Sequence, residues 1–179
     1  TPSGKFEFYS TQLKQLLDKS ATTNEARKSM LAKFGADASE DLLYLPAVAI
    51  RSAKKVDALP LRLNTYRLMS RPMGGGKNQP WLLEQPAVHV QASWESWVEI
   101  HPQTAAALGI KDHDLVWVES AKGRVKLSAK LYSGTVADVI NIPLFGGEGP
   151  NPNDLIANET DVLRGFGVLN STPVRVRRA

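Results

Sequence analysis

The sequence predicts a mainly β protein with short helices: a closed barrel of short strands preceded by a small helical appendage. Three observations carry this expectation. Residues 123–131 alternate Val125, Leu127, Ala129 and Leu131 against Arg124, Lys126, Ser128 and Lys130, the period of two that marks a strand with one buried face. The stretch Trp94–Val118 reads as strand, short helix, tight turn and strand. The strand candidates are also short and bounded by Gly/Pro turns, with few helical segments between them, the usual pattern of a closed barrel.

The bulk properties set the limits. A chain of 179 residues holds one sizeable domain, or one domain plus an appendage. The net charge of +4 is mildly basic, and part of it lies in Arg175, Arg177 and Arg178. This reads either as a solvated face or as a surface turned toward an anion. No dense Lys/Arg patch is interleaved with aromatics, so nucleic acid is not expected as a partner. There is no cysteine. That excludes disulfides, Cys-ligated zinc, iron–sulfur clusters held by this chain and a thiol nucleophile. No apolar run approaches the roughly 20 residues of a membrane helix, and no signal peptide is visible. The chain opens on Thr1-Pro2-Ser3-Gly4-Lys5 without an initiating Met, so it reads as the tail or a piece of something longer.

In chain order, Phe6, Phe8 and Tyr9 suggest a short strand. Ser10 is placed to cap a helix with Leu13, Leu16 and Leu17 inward. Thr22-x-x-Glu25 has the form of a capping box and would start a second helix with Ala26, Met30, Leu31 and Phe34 inward, ended by Gly35. Residues 36–57 read as loop, an extended connector interrupted by Pro46, and a polar linker. The expected boundary is therefore an appendage over 1–57 and a main domain over 58–179. Leu59–Leu68 is the first strand of that domain, and Trp81–Glu84 is one helical turn before Pro86. Val98-Glu99-Ile100 alternate as a half-buried strand. His101 caps a helix with Pro102 at its first position, and Gly109 ends it as a left-handed residue. His113 falls in the following turn, and Leu115–Val118 begins a strand. Further strands are expected over 123–131, 135–143 and 168–176, with a polar Gly/Pro-rich excursion from Gly146 to Leu155.

Two loops could carry function. Gly74-Gly75-Gly76 cannot form the centre of a strand or helix without a cost of about 1 kcal/mol per residue, so backbone comes close to something there. It is not a P-loop, since it lacks the GxxxxGK[ST] frame. It reads as an ordinary loop or as one laid along a polar ligand, with donors from Arg67, Ser70, Arg71, Asn78 and Gln79. The loop with Asn151, Asn153 and Asp154 sits between strands, where binding residues tend to be held by a rigid scaffold. His89, His101 and His113 have no metal-site frame. No GxSxG elbow occurs, and Trp94 and Trp97 read as core or domain-interface residues. From the residues alone, this is a binding surface with neither nucleophile nor metal site.

The segment Val98-Glu-Ile-His-Pro-x-Thr-Ala-x-x-Leu-Gly-Ile-x-Asp-x-Asp-x-Val-x-Val-Glu-Ser-x-x-Gly-Arg-Val resembles the C-terminal domain of molybdopterin-dependent oxidoreductases of the dimethyl sulfoxide reductase family. The opening Thr1–Ser10 resembles a segment shortly before that domain. The resemblance implies a six-stranded double-psi barrel that forms part of a pterin-dinucleotide site, with molybdopterin guanine dinucleotide as the cofactor. It implies that the loop from Thr65 through Asn78 and the Asn153-x-Leu155 loop reach the pterin, and that Asn170 and Ser171 lead into the last strand. The implied cofactor residues are Thr65, Arg67, Ser70, Arg71, Lys77, Asn78, Gln79, Asn153 and Asn170; no catalytic or metal-ligating residue is assigned. Many members carry Arg-x-x-x-x-His-x-x-Thr in the first loop. Here Arg67-Leu-Met-Ser-Arg-Pro-Met-Gly-Gly stands instead, with no His.

Residues 77–86 are similar to the large subunits of quinone-linked complexes of the menaquinone reductase and alternative complex III type. That likeness implies a cofactor-free scaffold on the periplasmic side of the cytoplasmic membrane. Its partners would be the remainder of the large subunit and iron–sulfur, cytochrome c and membrane quinone-binding subunits, with the clusters upstream of Thr1. The alternatives are a molybdenum bis-pterin-dinucleotide reductase of polysulfide or thiosulfate type, and a stand-alone double-psi barrel binding module.

Overall fold

A computed structural model of the chain describes residues 1, 3–33, 44–46, 56–71, 76, 78–85, 87, 89–144, 146, 148–160 and 165–179. The expectations placed on Phe34, Gly35, the connector either side of residues 44–46, Gly74, Gly75 and Lys77 lie outside the described residues. The chain divides into two compact units, residues 1–52 with 160–166, and residues 53–159 with 167–179.

The first unit holds helices α1 (Thr11–Ser20) and α2 (Asn24–Lys33). Ser10 caps α1, its hydroxyl accepting from the Leu13 N–H at 3.2 Å. Leu17 is buried, but Leu16 is exposed, so the inward stripe is narrower than the sequence suggests. The strand expected at Phe6–Tyr9 does not form. Instead the Phe6 and Phe8 rings meet edge to face at 4.8 Å and stay exposed, while Tyr9 packs on Tyr44 at 5.2 Å. Adjacent aromatics with no partner strand satisfy each other locally. Helix α2 is capped one residue later than expected: Thr23 Oγ1, not Thr22, accepts from the Ala26 N–H. Ala26 is correspondingly exposed.

The second unit is the expected closed barrel of six strands: β1 (Leu61–Arg67), β2 (Trp97–Ile100), β3 (Leu115–Ser120), β4 (Arg124–Leu131), β5 (Val139–Leu144) and β6 (Thr172–Arg178). Their order around the barrel is β1-β5-β2-β4-β3-β6. Two pairs are parallel. In β1–β5 the register runs from Arg62↔Val139 to Arg67↔Leu144, and in β2–β4 from Trp97↔Ser128 to Ile100↔Leu131. The other four pairings are antiparallel. This is a double-psi barrel.

Leu63, Val98, Ile100, Val116, Val118, Ala129, Ile140, Ile142 and Val174 fill the interior and are fully buried. Burial of such apolar surface stabilises the fold at roughly 25 cal/mol per Å². Two short helices link strands: α3 (Pro80–Glu84) and α4 (Pro102–Ala107). The caps of α4 are as read from the sequence. His101 accepts from the Gln103 N–H at 3.2 Å, and Gly109 has φ +65°. His113 takes φ +68° in the turn before β3.

Three strand expectations shift. β5 starts at Val139, because the preceding residues turn: the Thr135 N–H donates to Tyr132 O and the Val139 N–H to Val136 O. Val136 is therefore exposed. β6 starts at Thr172, after Ser171 adopts φ +69°. β2 is not half-buried: all four of its residues, Glu99 included, are sealed from solvent. Among the described residues no helix is long and apolar enough to cross a membrane.

On the outer face of β4-β3-β6, Glu119 bridges Arg175 at 2.6 Å and Arg177 at 2.9 Å. Trp117 lies under the Arg124 guanidinium, 4.6 Å from its ring centre. The hydrogen bonds from Arg177 and Arg175 hold the Glu119 carboxyl pKa down at about 2. A carboxyl whose folded pKa lies below its unfolded value contributes stability at neutral pH that is lost as acid protonates it. Stability from this group should therefore fall as pH drops from about 4.5 to about 2. In Glu119→Gln, urea melts across that range should show a shallower acid slope, and the gap to wild type should close near the lower end. Both arginines are half exposed, so added salt should shrink the difference.

Candidate functional site

The first candidate loop leaves β1 at Arg67. Thr65, two residues earlier, is buried and bound to Asn170, which stands just before β6. The Thr65 N–H and hydroxyl both donate to Asn170 Oδ1, at 2.7 and 2.9 Å. Pairing of β1 with β6 brings these residues together from 105 positions apart. Arg67 is exposed at the end of β1, and Ser70 is half-buried. The chain then turns, the Arg71 N–H donating to Leu68 O at 3.1 Å. Arg71 is completely buried, and among the described residues its Nε, Nη1 and Nη2 have no hydrogen-bond partner. Burial lowers the guanidinium pKa, yet an arginine does not give up its proton in a protein.

On the far side of the loop, Gly76 has φ +75°, and a Cβ there would stand 2.3 Å from Leu82 Cδ1. Other residues rarely adopt that φ, and a Cβ would also have to displace the end of Leu82 on α3. The Gln79 N–H donates to Gly76 O, and Gln79 O receives the Leu82 and Leu83 N–H groups, so Gln79 serves the start of α3. Asn78 is exposed.

Asn153 lies elsewhere. It sits on a 3-10 turn (Pro152–Asp154) packed on the β3–β4 hairpin. The Lys122 Nζ donates to Asn153 O at 3.0 Å, and Ser120 Oγ to Leu155 O at 2.8 Å. Among the described residues no hydrogen bond joins Asn153 to Thr65, Asn170 or Arg71. The structure thus brings Thr65 and Asn170 together, carries Arg67, Ser70 and Arg71 on the adjoining turn, and holds Asn153 against a different hairpin.

A second polar group lies beside this loop, and no sequence pattern announced it. Glu99 on β2 is 1% exposed. Its Oε1 accepts from the Tyr66 hydroxyl, from His89 Nε2 at 2.7 Å and from Trp97 Nε1 at 3.1 Å. Its Oε2 accepts from Asn141 Nδ2 at 3.1 Å. Asn141 in turn receives Asn64 Nδ2 at 3.0 Å. Burial and the neighbouring carboxylate push the Tyr66 hydroxyl pKa up, keeping it a donor. A buried carboxylate is tolerated only where donors replace water, and here four side chains do so. The one available signal was a glutamate at the centre of an otherwise apolar strand.

A family model settles what the chain belongs to, and a solved structure shares its fold. The molydopterin dinucleotide binding domain matches residues 61–173. The chain belongs to this family. It is similar to the assimilatory nitrate reductase catalytic subunit of Bacillus subtilis, 35% identical over 102 residues, which are 57% of this chain and 14% of that protein. It is also similar to the menaquinone reductase molybdopterin-binding-like subunit of Nitratidesulfovibrio vulgaris, 28% identical over 95 residues, covering 48% and 14%. Acetylene hydratase from Pelobacter acetylenicus shares the fold, with TM-score 0.61 at 20% identity, over 100% of this chain and 24% of that one. The chain thus spans about a seventh of the curated relatives it matches here.

The residues fit the family's cofactor at one point that can be checked directly. A dinucleotide carries phosphates, and Arg71 offers a buried, unpaired guanidinium of the type that binds phosphate in a bidentate fork. It lies on the turn that follows β1, the strand that carries Thr65. Bound there, the group would supply a redox-active metal held by the pterin. Among the described residues there is no metal-binding cluster.

Replacing Glu99 by Ala takes the acceptor from the buried Trp97 indole N–H and from the half-buried Tyr66 hydroxyl, while Asn141 Nδ2 keeps Thr135 Oγ1. The expected cost is about 3 kcal/mol, read as a lower urea midpoint with an unchanged slope. Glu99→Gln, which keeps an acceptor, should cost less.

Proposed function

We propose that this domain is part of a larger molybdopterin-family oxidoreductase subunit and that it binds the anionic dinucleotide portion of the cofactor. The observation that carries this reading is Arg71, fully buried, with all three guanidinium nitrogens unpaired among the described residues. A protein leaves a buried charge without a counter-charge only at a cost of several kcal/mol, and a bound phosphate removes that cost. The Thr65–Asn170 pair fixes the strand end from which the loop departs. Arg67 and Ser70 present further donors beside it, and Asn78 and Gln79 stand where the loop returns. Proximity to the reacting centre and exclusion of water are this chain's contributions. The chemistry itself belongs to the cofactor.

A second reading places the subunit in a membrane-associated, quinone-linked respiratory complex on the periplasmic side, with this domain as a cofactor-free scaffold beside iron–sulfur, cytochrome c and quinone-binding subunits. The likeness to the menaquinone reductase subunit supports it, as does the absence of His from the first loop.

The two readings part on one measurement. The intact subunit, purified from its own host, is assayed for molybdenum and for pterin. Cofactor binding predicts both at near-stoichiometric level, with Arg71→Ala lowering them at least tenfold while the subunit remains folded. Neither molybdenum nor pterin in the wild-type subunit would sink the cofactor reading and leave the scaffold.

A further inference from the structure

The outer face of β4-β3-β6 carries more positive charge than its ion pairs use. Every second residue of a strand faces outward there, and the register sets these residues in rows. Arg124, Glu119 and Arg175 form one row, and Lys126, Trp117 and Arg177 the next. Arg124, Lys126, Arg175 and Arg177 stand at the surface, and the one carboxylate among them, Glu119, is buried. Four cations against one anion leave a local surplus of three, in a chain whose net charge is +4. Glu119 takes only the Nε of Arg175 and the Nε and Nη2 of Arg177. Among the described residues no carboxylate pairs with Arg124 or Lys126, and both Nη atoms of Arg175 are without a hydrogen-bond partner. The Trp117 ring is taken up by Arg124 and Lys126, 4.6 and 5.8 Å from its centre, so it is no platform for a nucleobase. Beside Arg175 the face borders a groove of about 500 Å³, walled by Pro60, Thr104, Ala107, Leu108 and Arg175 and mostly apolar.

We propose that this face docks an acidic segment of a partner polypeptide in extended conformation. Its alternate carboxylates meet Arg124 and Arg175 in one row and Lys126 and Arg177 in the next, and an apolar side chain of the segment fills the groove. The charges call for carboxylates or phosphates; the spacing selects among their carriers. The two rows lie about 6.8 Å apart along the strands, the distance at which an extended polypeptide presents every second side chain. The groove adds a place for one large apolar side chain, the usual form of an anchor at a protein interface. Glu119 does not repel the segment, because it is sunk beneath the two arginines that it orients. None of these residues belongs to the loop that follows β1, so the inference stands apart from the cofactor reading.

The test uses the full chain and three probes: a synthetic peptide of alternating Glu and Ser that ends in Leu, the same peptide ending in Ala, and vesicles of phosphatidylglycerol. Affinity is read by titration calorimetry, and the site by the rate at which the Lys126 amine is acetylated. Saturable binding of the Leu peptide is expected, weakening as salt is added, with acetylation of Lys126 slowed at least threefold. The Ala peptide should bind at least threefold more weakly. Arg124→Gln combined with Lys126→Gln should lose at least tenfold in affinity, its fold checked by near-ultraviolet circular dichroism. The acetylation rate in the wild-type chain tests the proposal even if that variant unfolds. Lys14→Gln combined with Lys19→Gln removes the same charge from α1 and should bind as the wild type does. The proposal is overturned by no binding of the Leu peptide, by equal binding of the two peptides, or by an unchanged Lys126 rate. It is overturned equally by the same loss in the α1 variant, which would mean attraction to net charge alone, or by vesicles that protect Lys126 as well as the peptide does, which would mean a membrane-facing surface.

Discussion

Closure of the barrel through β6 is the constraint on which the rest of the second unit depends. β6 pairs with β1 on one side and with β3 on the other, and Val174 stands opposite Leu61 in one ladder and Ser120 in the other. Its side chain is fully buried. Without β6, β1 and β3 would each present an unpaired edge, and backbone groups in the wall would lose their partners. The same closure builds the candidate site. Asn170 stands two residues before β6, and the β1–β6 pairing carries it to Thr65. The loop bearing Arg71 therefore starts from a strand end whose position is set by the last strand of the barrel.

The two parallel pairs follow from that geometry. β1 lies beside β5 and β2 beside β4, so strands distant in sequence alternate around the wall, and the loops that join them cross the barrel's ends. Such connections cannot be short hairpins, and the one from β1 to β2 spans residues 68–96. In that span Arg71 is buried in the turn, and His89 is held to the wall by Glu99.

What could be read beforehand divides along the same line. The apolar positions of β4 were legible, because one face of that strand is solvated and the alternation of Val125, Leu127 and Ala129 against Arg124 and Lys126 records it. Gly109 and His101 were legible because their roles are local. Glu99 was not. In a strand buried on both faces, alternation no longer reports which side meets water, and a polar residue reads as outward when it is sealed. The Thr65–Asn170 contact spans 105 positions and has no local signature; only the family resemblance pointed to both ends. Arg71 was legible as a donor by residue type, but its burial depends on a turn whose shape no pattern announces. Asn153 was legible as part of a polar loop between strands, but not that Lys122 and Ser120 tie its segment to the β3–β4 hairpin.

The closure also fixes when the barrel can form. β1 finds its two neighbours only in residues 139–144 and 172–174, so it must wait through most of the chain as it leaves the ribosome. Local contacts alone cannot hold it, and the entropic cost of closing such long loops comes before most of the burial that offsets it. The early strands, with their apolar faces and open edges, are thus exposed during synthesis. They are the segments from which chaperone dependence or aggregation should start.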